Sequence, residues 1–474
     1  METEILNQTD RIELKLGEHL MEAVNGKDLV QNEKRIASSE SVVTEDEFLS
    51  MEDLVPVKRQ AAERSFKRTL SEMAELTAEK KWEDILEIFY PVDEKIPELS
   101  EHNLDAEIRA KTAFALGHVK RFDEAIQELH LCIKKDPENF HFHSSLAYTA
   151  YNSLYAAKNR EILLNGKSRL ERIELAHRHF IKAQELRPDG VTNYYRQGML
   201  FKQIENKNDR SLPLFQNAVA NWTGLDARKR EERQQERKNY VKSLYQLSGC
   251  LLNVGKIEKA LEYIKLCLSE DEKSNYYSLV YKYFALGKVL FHNNAFSEAK
   301  DALLFALQCG ANQPVDFVYE LLGRTYLAMG KPQRAMEVIS KLPEKKRRPY
   351  YRWTEADILC ALQDYKKAKA ALISCKERDN RSKHKALVRL SKIEYLLGNF
   401  RQAMDHAAEA VSFFNEKWGG LFNEGIFWQA LSAYRAGELE KARDLSNTLK
   451  AQQSSYPGLD KLRKRLFPGT RMEG

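Results

Sequence analysis

The chain has 474 residues, 43% hydrophobic and 30% charged, with a net charge of +6. That length exceeds one ordinary core, so several domains or a repeat array are expected. No run approaches the ~20 apolar residues of a membrane span, and the six cysteines (Cys132, Cys250, Cys267, Cys309, Cys360, Cys375) form no CxxC and no cluster, which disfavours a disulfide scaffold and fits a reduced, cytoplasmic setting.

The N-terminal stretch METEILNQTDRIELKLGEHL is acidic and mixed, so no secretory signal is expected. Residues 1–60 carry seven Lys/Arg against fourteen Asp/Glu, a balance of −7, which leaves +13 for residues 61–474. With sparse apolar positions, 1–60 reads as an acidic, poorly packed segment with helical tendency over 11–24, or equally as a solvated extra helix.

From residue 61 onward one spacing recurs. In "ELLGRTYLAMGKPQRAMEVISKLP" Gly323 and Ala335 stand twelve apart across a turn, with Tyr326 and Ile339 one turn beyond each. The same spacing joins Ala113 to Ala125, Ser248 to Ala260, Gly287 to Ala299, Ala356 to Ala368, Ser391 to Ala403 and Ala430 to Ala442. Met73 and Ile85 keep it with large residues. Gly198 and Ser211 are thirteen apart, and Ala147 and Ala176 are 29 apart, which places an insertion near 152–170. Ten copies near a 34-residue period predict an array of helical hairpins over 61–450. Small residues allow two antiparallel helices to cross closely, and large ones a turn away fill the flanks. A lone hairpin leaves an apolar face open, so the copies must stack.

These residues carry a family resemblance. "TAFALGHVKRFDEAIQELHLCIKKDP", with Ala113, Ala125, Leu129, Cys132 and Pro137, and "LAHRHFIKAQELRPD", with Ala176, Phe180, Ala183 and Pro188, resemble the tetratricopeptide repeat. The resemblance covers roughly residues 65–450. It implies an all-α, right-handed solenoid of about ten hairpins whose first helices line a concave groove. It also implies groove positions six, three and two before the first small residue and one after it. Those positions hold Tyr195, Arg196 and Met199, then Lys242, Tyr245 and Gln246, then Tyr281, Phe284 and Lys288. Phe317, Glu320 and Arg324 follow, then Tyr350, Trp353 and Asp357, then Lys385, Arg389 and Lys392, then Phe427 and Trp428. A one-residue shift exchanges groove for core, so each aromatic alone fits either place; Glu355, where an apolar residue is expected, marks the weakest register.

Aromatic side chains among Lys and Arg suit a protein partner, a peptide or helix that is acidic with apolar anchors. The same mix suits single-stranded RNA, but cations spread among carboxylates lead to an expectation of weak nucleic-acid binding. The acidic 1–55 stretch would compete for the same cations. A clamp for a terminal carboxylate is rejected: Lys385 and Arg389 fit its last pair, but Glu320, Arg324 and Thr354 stand where Lys and Asn are needed.

Other stretches carry less. Gly166-Lys167-Ser168 lacks the earlier glycine of a phosphate loop, since Glu161 stands there. His141/His143 and His177/His179 are each two apart and point to different helix faces, so no metal site is expected. "DARKREERQQERKNY" (226–240) is expected to lengthen the first helix of the Ser248 copy, as a solvated helix or a partner-binding arm. "KKRRP" (345–349) and "KLRKRL" (461–466) are basic, read as loop and C-terminal cap within 451–474. No nucleophile–base pair or paired carboxylates stand out, and no cofactor is expected. The reading is a non-catalytic scaffold or adaptor. The alternatives are an RNA-binding solenoid and an accessory subunit of an enzyme or assembly.

Overall fold

The computed structural model describes residues 51–310, 315–344 and 347–468. The acidic stretch up to residue 50, and Lys345 and Lys346 of the basic run, lie outside them. The described residues are helical, and the chain divides into two compact units, Met1–Tyr277 and Ser278–Gly474.

The first unit begins with a hairpin of α1 (Met51–Ala78) and α2 (Trp82–Phe89), followed by short helical turns at Val92–Lys95 and Pro97–Glu101. Four hairpins follow: α3 (Ala106–His118) with α4 (Phe122–Lys135), α5 (Phe140–Lys158) with α6 (Gly166–Leu186), α7 (Thr192–Met199) with α8 (Asn208–Thr223), and α9 (Arg237–Asn253) with α10 (Ile257–Glu270). The second unit holds five: α11 (Leu279–His292) with α12 (Phe296–Cys309), α13 (Asp316–Ala328) with α14 (Pro332–Ser340), α15 (Pro349–Ala361) with α16 (Tyr365–Arg378), α17 (Lys383–Leu396) with α18 (Phe400–Trp418), and α19 (Asn423–Ala436) with α20 (Leu439–Gln452). A last helix, α21 (Leu459–Leu466), packs Leu462 and Leu466 onto Ala430, Ala433 and Ala442.

The twelve-residue spacing works as the sequence implies. All ten pairs are buried, each member on one helix of a hairpin. A β-carbon on Gly323 would come within 2.8 Å of Ile339, so only glycine permits that crossing. At Ser248 the small residue also bonds: its hydroxyl donates to the carbonyl of Ala260, its own pair, at 2.8 Å. The register holds at Ala356, which is buried with Ala368 in one cluster, while Glu355 is held by Arg347 and Arg352 at 2.5 and 3.0 Å.

The turns repeat too. Each of the ten hairpins closes its first helix with one left-handed residue: Lys80, Lys120, Arg160, Asn206, Gly255, Asn294, Gly330, Gln363, Gly398 and Gly437. In nine, the next backbone N–H bonds the carbonyl five residues back, as Lys331 does to Tyr326 at 2.9 Å. This bond satisfies one of the carbonyls a helix end leaves open. The tenth turn follows α7, where Lys207 N–H reaches six back to Phe201 at 2.9 Å because Leu200–Glu205 is π-helical. The extra residue between Gly198 and Ser211 is therefore absorbed as a π turn.

The longer insertion lies in the neighbouring hairpin. Compared with α3 and α4, its seventeen extra residues divide into six in α5, four in the connection and seven in α6. Leu163 at the tip and Leu170 remain 98% and 69% exposed. The stretch 226–240 departs from expectation. Only Arg237–Tyr240 join α9, and Ala227–Glu232 forms a separate helical turn. The cause is Glu236, buried in the bend, which accepts from Arg187 at 2.6 Å and from the Val191 backbone N–H at 2.5 Å.

Candidate functional site

In the second unit the first helices α11, α13, α15, α17 and α19 touch through side chains that form a ladder. Phe317 receives Tyr281 in a parallel stack at 5.6 Å and Phe284 edge-on at 4.6 Å. The Tyr350 hydroxyl donates to Asp316. Thr354 donates to Glu320 at 2.5 Å. Glu320 is buried; burial raises its carboxyl pKa, against the lowering effect of Arg324 and the Thr354 hydrogen bond.

The ladder changes character at α17, which presents Lys385, Arg389 and Lys392 at one-turn intervals. Each cation lies over an aromatic ring of the flanking structure: Lys385 over Phe422 at 5.4 Å, Arg389 over Trp353 at 5.6 Å and Lys392 over Trp428 at 5.5 Å. Two also meet a carboxylate. Arg389 grips Asp357 through Nε and Nη2 at 3.0 Å, and Lys392 meets Glu424 at 2.7 Å. Burial would raise the Glu424 carboxyl, but Lys392, with Lys385 and Arg389, lowers its pKa overall. Tyr395 and Phe427 extend the apolar surface, each edge-on to Trp428.

In the first unit the expected groove residues meet their neighbours in the same way. Arg196 lies 3.5 Å from the ring centre of Tyr148, Tyr195 packs against Phe215 at 6.1 Å, and Tyr245 stacks on Tyr277 at 4.3 Å with Lys242 at 6.0 Å from the same ring. Gln246, fully buried, accepts from Lys202 at 2.8 Å and donates to the Tyr277 hydroxyl at 3.1 Å.

Of the sixteen aromatic and cationic residues expected on the groove, Tyr195, Arg196, Lys242, Tyr281, Phe317 and Tyr350 are buried. Arg196, Tyr281, Phe317 and Tyr350 meet the adjoining first helix, whereas Tyr195 packs on Phe215 of α8 and Lys242 faces Tyr277 just ahead of α11. Tyr245, Phe284, Lys288, Trp353, Lys385, Arg389, Lys392, Phe427 and Trp428 are half-buried, and Arg324 is exposed. The residues that reasoning from offsets missed are Phe422, which precedes α19, and the Glu320–Thr354 bond; neither has a signal in the repeat pattern.

The histidines also pair differently from their order in the sequence. His143 of α5 and His179 of α6 meet through their Nδ1 atoms at 2.7 Å, and His143 Nε2 meets the Pro137 carbonyl at 2.8 Å. Among the described residues no group of three or more metal-ligating side chains forms. No described helix is long and apolar enough to cross a membrane.

Residues 241–274, which hold α9 from Val241 onward and all of α10, match the family model of the tetratricopeptide repeat. Solved structures with a similar fold include yeast Tom70, 12% identical with a TM-score of 0.40, covering 85% of this chain and 95% of that one. A tetratricopeptide repeat protein from Parabacteroides merdae is 14% identical at 0.41, covering 63% and 98%. PilF of Pseudomonas aeruginosa is 12% identical at 0.40, covering 53% and 97%. These likenesses concern the fold; the repeat itself is matched over residues 241–274. No curated protein matches the chain by sequence.

Proposed function

We propose that this tetratricopeptide repeat protein is a non-catalytic adaptor that holds an acidic segment of a partner protein, with apolar anchors, against the first-helix ladder of Ser278–Gly474. The observation that carries the reading is the α17 triad, whose three cations each cover an aromatic ring. A bound carboxylate would find a cation and a ring in one place, at low ordering cost, because the neighbours already fix the side chains. Trp353, Phe427 and Trp428, half-buried, supply apolar contact beside them.

The groups that Arg389 and Lys392 already hold, Asp357 and Glu424, are carboxylates, the same chemistry that an acidic side chain would bring. They are also exchangeable: an incoming carboxylate takes the place of Asp357 or Glu424 without stranding a buried charge, since Arg389 and Lys392 keep water access. A cytoplasmic setting accords with six free cysteines, of which Cys132, Cys250, Cys267 and Cys375 are buried.

The test is charge reversal. Lys385→Glu with Lys392→Glu should abolish capture of acidic partner proteins while helix content stays unchanged. Undiminished capture by the double variant would refute the reading.

A further inference from the structure

α18 overruns the other second helices of its unit, with nineteen residues against fourteen in α12 and α16. Its added turn is aromatic. Phe413, Phe414 and Trp418, with Phe422 beyond the turn, surround His384 of α17 at ring separations of 6.2, 5.2, 5.1 and 5.0 Å. His384 is only 6% exposed, and its Nδ1 has no hydrogen-bond partner.

The cluster is not closed over. Trp418 is 47% exposed and Leu421 44%, an apolar surface that no described residue covers. Lysines ring it: Lys383 and Lys417 stand 5.9 and 5.8 Å from the Phe413 ring centre, and Lys385 lies over Phe422. Lys383 is shared with Glu409 at 2.6 Å, whereas Lys417 donates only to the Asn380 carbonyl at 2.6 Å and keeps its charge available. Residues 278–474 carry 33 Lys/Arg against 21 Asp/Glu, a balance of +12.

We infer that the surface of Phe413, Trp418 and Leu421, ringed by Lys383, Lys385 and Lys417, docks an acidic segment of a partner protein that presents a bulky apolar side chain. Charge selects the partner: a unit at +12 with cations around an apolar centre attracts acidic chains and repels basic ones. An exposed Trp framed by polar groups has the composition of an interface anchor. Phe422 stacks on Phe414 at 5.3 Å and lies beneath Lys385, so the surface runs on from the α17 triad. Lys385 is common to both, but the apolar centre of this surface, Phe413, Trp418 and Leu421, lies outside the ladder.

The experiment uses the full chain and a fluorescein-labelled peptide, GEDEFLEDEG, read by fluorescence anisotropy at low and raised salt. Saturable, salt-sensitive binding is expected. Affinity should fall about tenfold with Trp418→Ala, the scale of one anchor side chain. It should fall comparably when the peptide's FL becomes AA, and severalfold with Lys417→Glu. Trp418→Phe, which keeps the apolar ring and guards against misfolding of the alanine variant, should retain most binding. Trp353→Ala, on the ladder, should change it little, so failure here is distinguishable from failure of the ladder reading. Equal binding by Trp418→Ala and wild type, loss in Trp353→Ala alone, or equal binding of GKRKFLKRKG would each overturn the inference. So would no saturation at about 1 mM peptide, beyond which contacts are not specific. Dimerisation in sedimentation that Trp418→Ala abolishes would assign the surface to a second copy of this chain, and would overturn it too.

Discussion

Arg389 and Trp353 come from successive first helices, α17 and α15, and the guanidinium lies 5.6 Å from the indole ring centre while Asp357 holds it edge-on through hydrogen bonds of 3.0 Å. The stack and the fork together fix one orientation, which a lysine cannot reproduce. Arg389→Lys should therefore weaken capture of acidic partners at unchanged charge, by about tenfold if the fork positions the cation. Partner binding by purified variants, measured by calorimetry, checks it; equal affinity would leave charge alone as the determinant.

The crossings predict a packing cost. Ala335 is fully buried in one cluster with Ile339, Tyr351 and Ile358, so Ala335→Leu should destabilise by roughly 1–3 kcal/mol through overpacking. Thermal unfolding followed by circular dichroism gives the answer, and an unchanged transition would displace the repeat register.

The turns predict a gain. Gln363 holds a left-handed backbone, φ 62°, at the position where Gly330 sits in the preceding hairpin. Gln363→Gly should stabilise by about 0.5–1 kcal/mol as strain is relieved, less the entropy glycine adds to the unfolded chain. Gly330→Ala should do the reverse. Denaturant midpoints of the two variants should move in opposite directions.

Acid should destabilise the first unit through His179. Burial, then His143, His130 and Arg178, lower its pKa to about 4 from an ordinary 6.5. The folded state thus favours the neutral ring: its contribution is whole above pH 6.5, declines as pH falls below that, and is lost by about pH 4. The slope from this one group is at most about 1.4 kcal/mol per pH unit. Melting temperature should fall between pH 6.5 and 4 and fall less steeply in His179→Gln; parallel curves would exclude the histidine pair.

The π turn and the long insertion should prove coupled. Lys158, at the end of α5, donates to the Gln203 carbonyl at 3.0 Å, and Arg169, in α6, donates to Ile204 at 2.9 Å. Both donors lie in the insertion, and both acceptors lie in the π segment. Lys158→Met with Arg169→Met should speed amide exchange across 200–207 by about tenfold or more, as charged hydrogen bonds contribute on that scale. Unchanged exchange there would show the segment to be held by α7 and α8 alone.

The hairpins were legible because their signal is periodic and steric: small residues twelve apart leave little other use for the spacing. Even the irregular copies showed in the spacing, thirteen for Gly198–Ser211 and 29 for Ala147–Ala176, but the forms they take, a π turn and two lengthened helices with a longer connection, carry no signal in the pattern. The site was legible only as composition. Offsets found the cations of α17, but whether an aromatic faces solvent or the next helix depends on how tightly successive first helices stack. That is why Tyr281 and Phe317 are buried against each other while Trp353 stays half-exposed. The bend at 226–240 was illegible because Glu236 acts through a residue 45 positions away, the backbone N–H of Val191.

The most direct measurement places a photoreactive benzoylphenylalanine at Trp353 or Trp428, with Leu163 at the insertion tip as the comparison, and identifies what each captures in cells. The adaptor reading requires polypeptide adducts at 353 and 428 that survive nuclease, are enriched in acidic segments and disappear when Lys385 and Lys392 are reversed to Glu. Nuclease-sensitive RNA adducts at those positions, or protein adducts confined to 163, would contradict it.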